Sequence, residues 1–409
     1  MRSTVVTGLD IGSTKTCAVI MEVGGELPHR PVVKVLGVGR SIRPPAMRRE
    51  VATDIEGTTE SVRKALREAE LVAGVKAERV FVGISGEHMH ARTSTGVVAV
   101  GGGEITAADL KRVHEVARAV VVPADREVLH VIPQEYIVDH QSGIKDPIGL
   151  AGTRLEAEVL IITGAVAASQ NLRKAVSRAG HRVEAFVHEP LATAMAVLTE
   201  DEKDVGVALV DLGGATTEVA VFREGKMRHL ASIPWGGSTV TSDLAKGLSI
   251  TYAEAERAKE RYGLAFAQLA DPRETVELPA PGPGAVRPVA RELIAHIIEQ
   301  RLDEILGLVA REIENAGEDV KLGAGVVLTG GGAALRGTVE VAQHVFGMPV
   351  RTGIPGEGLG GLADAVKQPR YATATGLALY GASRLIEGGG FSFAEGAVGR
   401  VVAWLKEFF

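Results

Sequence analysis

Short apolar runs that end on an aspartate and a cluster of glycines set the rhythm of this chain. Residues 5–9 have the apolar density of a strand and run into DIGSTK at 10–15, after which residues 16–20 are strand-like again. Residues 207–210 lead in the same way into DLGGATT at 211–217, and residues 218–222 resume with apolar side chains at alternate positions, the period of a half-buried strand. A third junction joins residues 326–328 to TGGGAAL, and beyond its glycines the pattern turns helical. The first two junctions read as copies of one strand–turn–strand unit, which predicts a duplicated fold with two related halves.

Helical spacing fills the stretches between. Val62, Leu66 and Ala69 mark a helix over 58–71, a second follows Gly164 over 165–179, and the longest is expected over 288–316. In that longest one Leu293, Ile297, Ile298, Leu302, Ile305, Leu308 and Val309 form a wide apolar stripe suited to packing on a core. Strands alternating with helices predict α/β layers. Residues 85–163 break the alternation, with one helix at 107–119 among strand-like runs at 97–100, 127–131 and 156–162, and are read as a small inserted α+β domain. PAPGPGAVRP at 279–288 reads as a surface loop, and residues 387–396 as a glycine-rich linker.

At 409 residues, with 45% hydrophobic and 23% charged, the chain has the balance of a folded protein of two or three domains. A net charge of −6 gives no general attraction to nucleic acid. Cys17 is the only cysteine, so no internal disulfide can form and zinc motifs built on paired thiols are excluded. The opening residues lack the apolar run of a signal peptide. No window approaches the ~20 apolar residues of a membrane-spanning helix.

The two Asp–Gly turns carry the chemistry. Asp10 and Asp211 each place a carboxylate at a strand end, which suits Mg²⁺ held largely through water. Gly12, Gly213 and Gly214 let backbone N–H groups approach phosphate oxygens, and Ser13, Thr14, Thr216 and Thr217 add hydroxyls. Lys15 supplies a compact cation for β- and γ-phosphates. The competing reading, two tight hairpins with aspartate turns, explains Asp and Gly but leaves Lys15 and the hydroxyls without a role. Gly330, Gly331 and Gly332 offer N–H groups and room for a flat base or ribose. A P-loop is absent, GxGxxG at 356–361 follows Ile354 and Pro355 instead of a strand, and His88, His90 and Glu87 are expected on a solvated strand, not around a metal.

These turns, the glycine triplet and the AExxK string at 255–259 resemble the actin, Hsp70 and sugar-kinase superfamily. HVIPQEYIVD at 130–139, IKDPIGLAGTRLEAEV at 144–159, IPWGGSTVTSDLA at 233–245 and AEAERAKERYG at 253–263 resemble the FtsA family within it. The resemblance covers nearly the whole chain. It implies an actin-like two-lobed ATPase fold, with residues 1–84 and 164–197 as the first lobe and the insert at 85–163. Residues 198–245 and 320–381 would form the second lobe, residues 246–319 its insertion, residues 382–396 a linker and residues 397–409 an amphipathic helix. It implies ATP between the lobes, with Glu256 at the ribose, Lys259 at the adenine and Gly330–Gly332 on the nucleoside side. HEPLATAMAVL at 188–198 resembles one inter-lobe connector, with residues 371–381 as the second. By analogy with related chaperones Glu189 is a candidate to position an attacking water, beside Asp10 and Asp211. A helix-start role before Pro190 competes equally, so turnover is expected to be slow at most.

The last residues, GAVGRVVAWLKEFF, place Val398, Val401, Val402, Leu405, Phe408 and Phe409 at helical spacing with Trp404 beside the stripe. This is the pattern of a helix lying in a membrane interface, and the resemblance implies a membrane-targeting helix there. It also implies self-assembly into filaments, tethering of the tubulin homologue FtsZ to the cytoplasmic face of the inner membrane, and contacts with other division proteins. The tether would be weak singly and firm in a polymer that aligns many anchors. The alternatives are a PilM-like pilus-assembly scaffold, without the terminal helix, and a small-molecule kinase, for which no segment supplies a catalytic aspartate facing the γ-phosphate.

Overall fold

The computed structural model describes residues 4–24, 32–42, 47–48, 51–52, 54–280, 285–317 and 321–387. The linker expected over 388–396 and the amphipathic helix with Val398, Val401, Val402, Trp404, Leu405, Phe408 and Phe409 lie outside these residues. By contacts the chain divides into one unit of residues 1–87 and 172–409 and another of residues 88–171.

The first unit opens with β1 (Thr4–Ile11), β2 (Lys15–Gly24) and β3 (Val32–Ile42), then the two-residue strands β4 (Met47–Arg48) and β5 (Val51–Ala52). Helix α1 (Ile55–Ala73) follows. Its N-cap Asp54 accepts from the Gly57 N–H at 2.9 Å, and Gly74 ends it at φ 69°. Strand β6 (Arg79–Ile84) then leads into the second unit.

That unit holds β7 (His90–Ala99), α2 (Ala107–Arg118), β8 (Arg126–Val138), β9 (Gln141–Ile144) and β10 (Arg154–Ala165), in an antiparallel sheet of order β7-β10-β8-β9. Ile105, Val113, Ala117, Tyr136, Leu155, Val159 and Ile161 form its core between α2 and the sheet. A capping box of Thr106 and Asp109 starts α2, because each side chain satisfies an N–H the helix cannot. The α+β character read from the sequence is present. His88 differs from expectation: both ring nitrogens are buried with no hydrogen-bond partner among the described residues, and burial pushes its pKa down. Among those residues no cluster of three His, Cys, Asp or Glu side chains could hold a metal.

After α3 (Val166–Arg178) come β11 (Arg182–His188), α4 (Glu189–Val197), α5 (Glu200–Val205), β12 (Val207–Leu212), β13 (Thr217–Arg223) and β14 (Lys226–Ile233). Next are α6 (Gly237–Gly247), α7 (Tyr252–Tyr262), β15 (Thr275–Pro279), β16 (Val286–Ala290) and α8 (Arg291–Glu314). The chain continues with β17 (Val326–Thr329), α9 (Thr338–Phe346), β18 (Val350–Thr352), β19 (Gly360–Gly361) and α10 (Ala372–Glu387).

Two sheets carry the duplication. One runs β11-β6-β1-β2-β3-β19 and the other β18-β17-β12-β13-β14. In each, an antiparallel meander (β1-β2-β3, β12-β13-β14) is extended from its first strand by parallel neighbours, β6 and β11 or β17 and β18. Asp10 stands opposite Cys17, and Asp211 opposite Glu218, at matching ends of the two hairpins. The repeated strand–turn–strand signal therefore marks two copies of one sheet. α10 returns to the first sheet, with Ala374 and Ala378 packed among Cys17, Val19 and Met21. The second sheet is covered by α8, whose Ile298, Leu302, Ile305 and Val309 meet Val210, Val219 and Val221.

Three local expectations are corrected. The long helix begins at Arg291, not Pro288, and the stretch to 288 is not all loop, because residues 286–290 pair with 275–279 as an antiparallel hairpin. Leu293, placed on the apolar stripe, is 47% exposed, because it faces away from the core that the next residue, Ile294, already enters. Beyond the glycine triplet a short 3₁₀ turn (Gly332–Ala334) comes first, and α9 starts only at Thr338.

Candidate active site

The two Asp–Gly turns face each other. A Cβ on Gly214 would lie 2.7 Å from Thr14 Cγ2, so the first turn of one sheet closes onto the second turn of the other. Asp10 is buried at the end of β1, 3.5 Å from the Lys15 ammonium at the start of β2. Lys15 Nζ also donates to the carbonyl of Arg370, just before α10. Ser13 is buried in the same turn. Ser61 donates to the hydroxyl of the neighbouring Thr16 at 2.9 Å, tying α1 to the turn's exit.

The electrostatics match the packing. Burial pushes the Asp10 carboxyl up, with Lys15 opposing, and pushes Asp211 up to about 6, with Lys15 and Thr373 opposing and Asp10 adding to the rise. Burial also works against the Lys15 charge, but Cys17, Asp10 and Asp211 outweigh it and push that pKa above the ordinary lysine range. The arrangement is a half-buried cation paired with Asp10 and felt by Asp211, two carboxylates whose own charge is costly. Asp10 and Asp211 are the hard oxygen donors that Mg²⁺ prefers, so the residues present fit such an ion.

Asp211 is fixed from both sides. Its Oδ2 accepts from Thr373 Oγ1 at 3.0 Å. A Cβ on Gly330, which sits at φ 83°, would meet Asp211 Oδ1 at 2.2 Å. Gly330 therefore leaves room for the carboxylate as well as supplying the backbone expected at the nucleoside. The second turn is braced from behind: the Gly237 and Ser238 N–H groups at the start of α6 donate to the Gly213 and Gly214 carbonyls at 3.0 and 2.8 Å. Thr217 donates to the Trp235 carbonyl at 2.8 Å, and Thr216 is buried beside it.

The residues expected at the nucleoside form their own cluster. Lys259 Nζ donates to Glu256 Oε2 at 2.9 Å, Thr241 Oγ1 at 2.8 Å and the Gly237 carbonyl at 3.0 Å, and Thr241 donates to Glu256. This cluster is continuous with the brace behind the second turn through Gly237. Glu189 opens α4, and its Oε2 accepts from Ser85 Oγ at 2.6 Å. Gly83 leaves the space its side chain crosses, since a Cβ there would lie 2.7 Å from Glu189 Oε1. Ser85, Thr193, Arg370 and Thr373 were not singled out in the sequence. Thr193 and Thr373 lie inside the connector strings at 188–198 and 371–381, which carried a signal as segments only.

Comparison with known proteins agrees with this geometry. The family model described as Cell division protein FtsA matches residues 208–376, and the one described as SHS2 domain inserted in FTSA matches residues 86–163. The Cell division protein FtsA of Pseudomonas aeruginosa is 42% identical over 383 residues, covering 94% of this chain and 90% of that protein. The chain belongs to the FtsA family. The FtsA of Neisseria meningitidis is 40% identical over 99% of this chain and 98% of its own, and that of Escherichia coli K12 38% over 94% and 91%.

Solved structures confirm the actin-like fold of this FtsA-family chain. A PilM-PilN type IV pilus biogenesis complex aligns with TM-score 0.66 at 18% identity, covering 92% of this chain and 98% of that one. MreB5 of Spiroplasma citri bound to ADP aligns with TM-score 0.54 at 12% identity, covering 92% and 95%. At these identities the likeness is one of fold, so the PilM alternative gains nothing beyond the shared architecture. Among the described residues no helix is long and apolar enough to cross a membrane.

Proposed function

We propose that this FtsA-family chain binds ATP with Mg²⁺ between its two related halves. It assembles with copies of itself, and it tethers FtsZ to the cytoplasmic face of the inner membrane through residues 397–409. The observation that carries the nucleotide site is the pairing of Asp10 and Asp211 around Lys15, on two turns that meet at Thr14 and Gly214. Backbone N–H groups of Gly12, Gly213 and Gly214, with the Ser13, Thr14 and Thr216 hydroxyls, would receive phosphate oxygens, and Lys15 would neutralise their charge. A bound Mg²⁺ would screen the β- and γ-phosphates, held by Asp10 and Asp211 largely through water. Glu256, Lys259 and Gly330–Gly332 would border the nucleoside. Ser85 aims Glu189, the candidate for orienting a water, and turnover is slow at most.

In this reading residues 1–84 with 164–197 form the first lobe, to which β19 and α10 return against the expected bound of 381, and residues 198–245 with 320–352 form the second. Residues 85–163 supply contacts to neighbouring subunits and division proteins, and the second-lobe insertion around residues 246–315 meets FtsZ. The identity of 38–42% to FtsA proteins over nearly the whole chain supports this role. Flotation with liposomes tests it, comparing the full chain with one ending at Gly396, each with and without ATP. The full chain alone is expected to float, and more with ATP. Equal behaviour of the two chains removes the membrane tether. ATP affinity left intact by Asp211→Ala removes the nucleotide site.

A further inference from the structure

Helix α4 follows β11 where the chain leaves the first sheet, α10 follows β19 after the chain has returned to it, and both reach Asp211 through one line of hydroxyls. Thr373, in the first turn of α10, donates to Asp211 Oδ2 at 3.0 Å. Thr193, on α4, lies 3.0 Å from Thr373 Oγ1. Thr193 is fully buried and Thr373 is 6% exposed. A threonine hydroxyl has one proton. Because Thr373 directs its proton to Asp211, the contact with Thr193 must be made by the Thr193 proton on a Thr373 lone pair. The line thus has a fixed direction, from α4 through α10 to the carboxylate.

On the opposite side, Gly330 comes so close to Asp211 Oδ1 that no side chain fits between them. The carboxylate is therefore wedged between a backbone wall and a hydroxyl donor, which leaves it one orientation.

We propose that Thr373, backed by Thr193, is a positioning residue that fixes the Asp211 carboxylate for a divalent cation bound with the nucleotide. The inference rests on the proposed nucleotide site and deepens it. Groups that orient a metal-binding side chain without touching the metal commonly change metal affinity by 10–100-fold when removed. Thr373→Val keeps the shape and the branched Cβ and removes the only donor to Asp211 Oδ2 among the hydrogen bonds described.

The test is equilibrium binding of ATP to the full chain, titrated with Mg²⁺ and repeated in EDTA. Thr373→Val should weaken binding about 10-fold or more in Mg²⁺ and change it less than about threefold in EDTA. Thr373→Ser should restore the Mg²⁺ response to near the wild-type level. Thr193→Val should shift binding in the same direction by about 2–5-fold, since it removes a support and not the donor itself. Circular dichroism of each variant checks that the fold is kept. Equal weakening with and without Mg²⁺, or no rescue by serine, overturns the positioning role and leaves the nucleotide site standing. A wild-type chain that binds ATP with no response to Mg²⁺ overturns it equally. A wild-type chain that binds no ATP at all removes the proposed function together with it.

Discussion

Helices α4 and α10 cross with their backbones in contact at Gly376. A Cβ there would lie 1.7 Å from the Ala192 carbonyl oxygen, 2.3 Å from its carbon and 3.1 Å from the Thr193 nitrogen. Gly376→Ala must therefore push the two helices apart by about 1.5 Å to reach ordinary contact, and the obstacle is backbone, which has no rotamer to change. Overpacking of this kind costs about 1–3 kcal/mol, and a backbone obstacle puts it at or above the top of that range. Replacing glycine by alanine inside a helix returns about 1 kcal/mol. The net loss is about 2 kcal/mol or more. Gly307, in the middle of α8, has nothing within 4 Å of a built Cβ, so Gly307→Ala should show the helix gain alone, about 0.5–1 kcal/mol of added stability. Urea unfolding followed by circular dichroism, with slopes compared to confirm the same surface is exposed, reads both. The midpoints should move in opposite directions. If Gly376→Ala matches the wild type, or both variants move together, the crossing is not a backbone contact and the reasoning fails.

Other expectations follow from named groups. Burial holds Asp211 near 6 against an ordinary 3.8, so the folded chain binds a proton there that the unfolded chain does not. Its ionised form thus costs stability above pH 6, and the cost fades as pH falls from 6 towards 4. Asp211→Asn should gain urea resistance over the wild type at pH 7, with the gain shrinking on acidification; a gain that grows towards pH 4.5 contradicts this. Asp139, at φ 45°, accepts from the Thr153 N–H and hydroxyl and the Arg154 N–H, so Asp139→Ala strands those donors. It should show as faster hydrogen exchange across residues 139–154; unchanged exchange speaks against the loop being pinned there. Ser85→Ala should lower ATP turnover while ATP affinity holds, and an unaltered rate would leave Glu189 to its helix-start role.

The duplicated sheets were legible because each hairpin is punctuated by Asp and Gly, residues that a strand end and a tight phosphate-sized turn both require. The pairing of 275–279 with 286–290 was hidden because Pro279 and Pro288 read locally as loop, while the ladder is formed by Val276, Leu278 and Val289 facing the core. The turns gave up Asp10, Lys15 and Asp211, but not what orients them. Thr373 lies 162 residues from Asp211, and Thr193 lies 180 from Thr373, so no spacing rule connects them. Lys259 and Glu256 were legible as a pair three residues apart on one helix. Their link to Gly237 came only from the fold, which sets α7 beside the start of α6.

The Lys15 ammonium already has two oxygen partners, the Asp10 carboxylate and the Arg370 carbonyl. Anything negative that enters the cleft must compete for that ammonium, so its arrival is an exchange of partners and not a simple gain. A chain of phosphates that reaches both turns at once brings several contacts against the same loss. In the proposed nucleotide site the tethered lysine would thereby favour a polyphosphate that reaches both turns over a small anion.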